Sequence, residues 1–141
     1  MPSASSLRRF SRLPHRRRSL LLRAAATLTA ASAAVALLPF HKAIGFGSIR
    51  LRPRNGITVE DCVWAVEAAA RRLPLRAVCI QQGLAVQRLL RSGGIDAVLH
   101  YGARRAAASA KLEAHVWVSV AGETIIGGEE APGFAEIATF P

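Results

Sequence analysis

"CIQQGLAVQRLLRSGGIDAVLHY", Cys79 to Tyr101, is the stretch whose reading decides the fold. Its first half is helical. Ile80, Gly83, Leu84, Gln87 and Leu90 share one face, and Gly93-Gly94 supply the stop. Its second half, Ile95–Tyr101, is a β-type run. A helix spanning Cys79–Ser92 therefore leads into a strand, with a cysteine in the helix's first turn.

Working outward, residues 58–73 read as a preceding helix. Thr58 is its N-cap, with Asp61 three residues on in a capping-box-like place. Val59, Cys62, Val63, Val66, Ala70 and Leu73 repeat at helical spacing, and Pro74 ends the run. Downstream, residues 102–110 read as a loop or hairpin turn, and "LEAHVWVSV" (Leu112–Val120) as a strand. Its Leu112, Ala114, Val116, Val118 and Val120 face one way, and Glu113, His115, Trp117 and Ser119 the other. Ala121-Gly122 makes a tight turn and "ETIIG" (Glu123–Gly127) returns, pairing Val116 with Gly127 and His115 with Gly128. No element is assigned to the tail after Pro132-Gly133. Helices first and strands after give an α+β fold, with helices packed on a small antiparallel sheet.

The 141 residues divide by composition. Residues 1–54 carry eleven Arg or Lys and no acid, whereas residues 55–141 carry eight basic and nine acidic residues, so the net charge of +10 belongs to the N-terminal third. Residues 1–18 read as a disordered basic arm, 19–55 as an apolar helix and connector, and 56–141 as the folded domain. The neutral part has no basic stripe interleaved with aromatics, which argues against nucleic-acid binding. Two cysteines and four scattered histidines form no paired ligand spacing, so neither a metal nor another cofactor is expected. One disulfide between Cys62 and Cys79 stays open.

The apolar run "SLLLRAAATLTAASAAVALLPF" (Ser19–Phe40) admits three readings. It fits a signal peptide, with a basic n-region and Ala34-Val35-Ala36 as a cleavage site. It fits a membrane-associating helix, and it fits a helix that packs on the domain or a partner. As a transmembrane span it is short and rich in Ala, Ser and Thr.

The chemistry centres on Cys79. Unpaired N–H groups and the helix dipole at a helix start stabilise a thiolate, the form that attacks. A thiol nucleophile needs a base within reach, and His115, on a strand beside Trp117, is the best candidate. Cys62, on an apolar stripe, reads as a buried core thiol.

The order of blocks resembles the transglutaminase-like leader peptidases of lasso-peptide biosynthesis in their short stand-alone form. The resemblance rests on Arg72-Leu73-Pro74, Cys79-Ile80-Gln81-Gln82-Gly83-Leu84-Ala85, Leu89-Leu90, Gly94-Ile95 and Ala114-His115-Val116-Trp117-Val118-Ser119 before Gly122. It covers residue 56 to the C-terminus, and Leu37-Leu38-Pro39-Phe40 fits the end of the family's first apolar helix. This favours the packed-helix reading of residues 19–40 over the signal peptide.

The resemblance implies a transglutaminase/papain-like core and a cysteine peptidase that removes the leader from a ribosomally made precursor peptide. It implies cytoplasmic work with a separate leader-binding protein and an ATP-dependent macrolactam synthetase. Cys79 would attack the scissile carbonyl and His115 would move the proton. Gln82 and Trp117 would line the site or help hold the oxyanion, alongside a backbone N–H of the helix start. Some members carry an Asp twelve positions after the histidine. Here that position is Gly127, which leaves Glu129, Glu130, a backbone carbonyl or water to orient His115. Val116 stands for the usual Ala and Ser119 for the usual Glu. The missing carboxylate keeps open a catalytically weak scaffold that binds peptide or partner. The basic N-terminus is expected to favour contact with an anionic membrane or an acidic partner.

Overall fold

A computed structural model describes residues 4–141. The helices are α1 (Ala4–Ser11), α2 (His15–Leu37), α3 (Phe40–Ala43), α4 (Val59–Arg72) and α5 (Cys79–Ser92). The strands are β1 (Ala97–Arg105), β2 (Leu112–Val120), β3 (Glu123–Ile126) and β4 (Ala135–Phe140), forming one antiparallel sheet in the order β3-β2-β1-β4. The fold is α+β, as the sequence pattern implies.

α4 begins where its cap requires: the Thr58 hydroxyl accepts the Asp61 N–H at 3.2 Å. α5 ends at Gly93, followed by Gly94 at φ 84° with the Arg54 backbone 2.6 Å from where a Cβ would stand, so no side chain fits there. α5 lies on the sheet through Gly83, whose missing Cβ leaves room for Val116, Leu99 and Val118. Around it Leu84, Val86, Leu90, Leu99 and Val118 are fully buried.

The N-terminal third departs from expectation. Residues 4–11 and 15–18 are helical rather than an irregular arm; residues 1–3 lie outside the described residues. The cause is that the arginines find partners. Arg18 donates to the Ser11 and Leu13 carbonyls, and Arg17 pairs with Asp61 at 3.2 Å while stacking over Trp64. α2 is then fixed by its apolar stripe. Leu20, Leu21, Ala24, Leu28, Ala31 and Ala34 are buried, and the helix packs on α4 and α5. In the structure this run packs on the domain; contrary to the expectation that it is short for a span, the same helix is by length and composition long and apolar enough to cross a membrane.

Three strand details also differ. β1 continues to Arg105, so that only the stretch between β1 and β2 turns, and Gly102 pairs with His115. The tail forms β4 against β1, tied by Gln87, whose buried amide donates to the carbonyls of Phe140 (2.6 Å) and Ala97 (3.3 Å). Finally, the two-residue turn at Ala121 (φ 51°) and Gly122 (φ 83°) starts β3 in the expected register, Val120 opposite Glu123. A bulge then shifts it, so that Val118 pairs with Ile126. The pairings expected for Val116 and His115 are thereby displaced by one residue.

Candidate active site

Cys79 is the first residue of α5. Val78 offers no side-chain cap, and there is no acid in the first turn. The first helical bond runs from the Gln82 N–H to the Val78 carbonyl, so the amides of Cys79, Ile80 and Gln81 precede it. Cys79 is a half-exposed free thiol in a groove of about 220 Å³ lined with Gln82, Val116, Ile126 and Gly127. Gln82 is turned back, its amide donating to the Ala77 carbonyl at 2.8 Å, which braces the segment leading into the helix.

His115 is 5% exposed on β2. Its Nε2 lies 2.7 Å from the Gly127 carbonyl oxygen. A carbonyl can only accept, so Nε2 carries a proton, which leaves Nδ1 as the ring nitrogen able to exchange one. Glu130 Oε2 stands 3.9 Å from Nδ1 on an exposed side chain. Glu129 lines the same cleft of about 640 Å³ without touching the imidazole. The group that orients His115 at the Gly127 position is thus the main chain itself.

Trp117 is not a groove residue: it is buried, with His115 stacked on it at 6.1 Å and His100 at 5.5 Å, the latter within 3° of parallel. Phe134 contacts the His115 ring at 5.1 Å. His100 is the residue that sequence reading missed. Its Nδ1 lies 2.7 Å from Glu136 and its Nε2 2.7 Å from the Ser119 hydroxyl, so a Glu136–His100–Ser119 chain holds the ring against Trp117. The only signal was His100 in "VLHY", interpretable once β1 is set beside β2 with His100 opposite Trp117.

Cys79 and His115 line adjoining clefts that share Ile126 and Gly127 as their common wall. Among the described residues no hydrogen bond joins the two. β2 presents Val116 and Val118 to α5 and turns His115 and Trp117 to its other face. Cys62 is separate from all of this. It is fully buried, and burial pushes its thiol from 9.0 up to about 12; Arg23 pulls it down and Asp61 adds slightly to the rise. Both cysteines are free, so the bridge left open by the sequence is not formed. Among the described residues no cluster of His, Cys, Asp or Glu could hold a metal ion.

No curated protein and no solved structure matches the chain. A family model does, over residues 4–139, and so takes in the N-terminal helices as well as the cysteine helix and the histidine strand. That breadth, together with a thiol heading a helix that packs on an antiparallel sheet, places the chain in the transglutaminase-like superfamily.

Proposed function

We propose that the protein is a cysteine peptidase that removes the leader from a lasso-peptide precursor, working with a leader-binding protein and an ATP-dependent macrolactam synthetase. The observation that carries the reading is the juxtaposition at Gly127. Its peptide walls the groove of Cys79 on one side, and its carbonyl fixes the tautomer of His115 on the other.

In this reading the substrate's scissile carbonyl enters the Cys79 groove. Cys79 Sγ bonds to the carbonyl carbon, His115 Nδ1 takes the thiol proton, and the tetrahedral oxygen gains charge near the free amides of the α5 start. Collapse expels the amine, which receives the proton from Nδ1, and leaves a thioester that water hydrolyses. Because His115 lies on the face of β2 turned away from α5, the step requires the backbone at Ile126–Gly127 to rearrange so that the two side chains meet.

The test is incubation with precursor and leader-binding protein. Cleavage by the wild type and none by Cys79→Ala supports the proposal; equal cleavage by both overturns it. A second reading, a peptide-binding scaffold with little activity, is favoured by the absence of a hydrogen bond between Cys79 and His115. A thiol-reactive peptide probe separates the two. Labelling of Cys79 that is fast and lost in His115→Ala supports the peptidase, and labelling indifferent to that substitution supports the scaffold.

A further inference from the structure

A third cleft, of about 320 Å³ and sharing no lining residue with the other two, opens between the start of α2 and the segment that enters α4. Arg16, Arg17, Arg23 and His15 line it, and Asp61 is the one acid in its wall. The positive groups are poorly compensated. Among the described residues Arg17 pairs with Asp61 at 3.2 Å and stacks over Trp64, Arg16 donates to the Gly56 carbonyl and Arg23 to the Ser92 hydroxyl at 3.4 Å. Three guanidiniums around one carboxylate repel one another, and Arg16 and Arg17 stand in the first turn of α2, where cations are disfavoured. A folded chain that holds them together gains stability from whatever anion relieves that repulsion.

We propose that this cleft binds a phosphate group. Guanidinium forks match tetrahedral phosphate oxygens with paired, charge-assisted hydrogen bonds, and a dianion balances the excess charge that a single carboxylate would leave. Two sources carry this chemistry, free phosphate or pyrophosphate and the headgroup of an anionic lipid. Leu7 and Leu22, 58% and 59% exposed on α1 and α2, are apolar side chains of the same N-terminal helices that a lipid surface could meet.

The test uses the full chain. Calorimetric titration with pyrophosphate at constant ionic strength is compared among wild type, Arg23→Gln, Arg23→Lys and a control, Arg105→Gln on β1. Arg23→Gln removes the charge while leaving a polar, helix-compatible side chain, and circular dichroism checks that each variant is folded. The proposal expects saturable binding by the wild type and the control, about tenfold weaker binding by Arg23→Gln, and partial recovery in Arg23→Lys. No binding by the wild type overturns it, as does equal binding by Arg23→Gln. Co-sedimentation with phosphatidylcholine vesicles, with and without phosphatidate, then assigns the source. Retention that needs phosphatidate and falls in Arg23→Gln marks a headgroup site; pyrophosphate binding without vesicle retention marks a soluble phosphate. Binding of polyglutamate with indifference to pyrophosphate also overturns the proposal.

Discussion

A Cβ added at Gly127 would lie 2.6 Å from the Val116 carbonyl oxygen and 3.1 Å from the Trp117 Cα, on a backbone at φ 77°. Both the clash and the left-handed conformation exclude a side chain. The carboxylate that some relatives of the resembled peptidases carry at this spacing therefore cannot be restored by substitution alone. Gly127→Asp is expected to cost roughly 2–4 kcal/mol, read as a lower denaturation midpoint, without faster labelling of Cys79. Cys62 makes a separate prediction. Its thiol titrates near 9.0 when unperturbed and near 12 in the fold. Above about pH 9 the unfolded chain loses this proton while the folded chain keeps it, so the folded state weakens as pH climbs from 9.0 towards 12. Cys62→Ala should flatten that part of the stability–pH curve. Near neutral pH a thiol reagent should modify Cys79 and spare Cys62 in the native protein.

At the scale of elements, what the sequence made legible was what local chemistry dictates. α4 and α5 carry their own caps and stops, and Thr58→Ala should remove about 1 kcal/mol of stability in a thermal or denaturant melt. The alternation in Leu112–Val120 announced β2, and Ala121-Gly122 announced its turn. The bulge in β3 was not legible, because nothing in "ETIIG" distinguishes a regular return from one that gains a residue. Nor was β4: "AEIATF" follows a proline-glycine turn and has no buried face of its own, and it exists as a strand because β1 offers an edge. The Glu136–His100–Ser119 chain joins three strands and so follows only from the register. Gln87 is the long-range tie that holds β4. Gln87→Leu leaves the carbonyls of Phe140 and Ala97 without its amide. It should cost about 2 kcal/mol and speed amide hydrogen exchange in β4 more than in β2.

For the whole molecule, α2 packs on α4 and α5 and supplies part of the core. Leu28 is fully buried and Leu20 and Leu21 nearly so, each contributing roughly 2 kcal/mol by removal from water against a typical total of about 5–15 kcal/mol. Deleting residues 1–38 should therefore abolish the cooperative unfolding transition seen by calorimetry, whereas deleting residues 1–13, before α2, should preserve it at a lower midpoint. Cleavage after Ala36 would remove the same buried side chains, and mass measurement of the purified protein's N-terminus tests whether it happens.

The position of β4 also gives the fold an order in time. Synthesis delivers the helices first, then β1 to β3, and β4 last. Until then one edge of β1 is open and the Gln87 amide at the centre of α5 has no Phe140 carbonyl to bond. A chain cut before Ala135 would keep its helices and three strands with one edge of β1 bare, the condition in which another chain can pair with it. Arrival of "AEIATF" is the event that seals that edge.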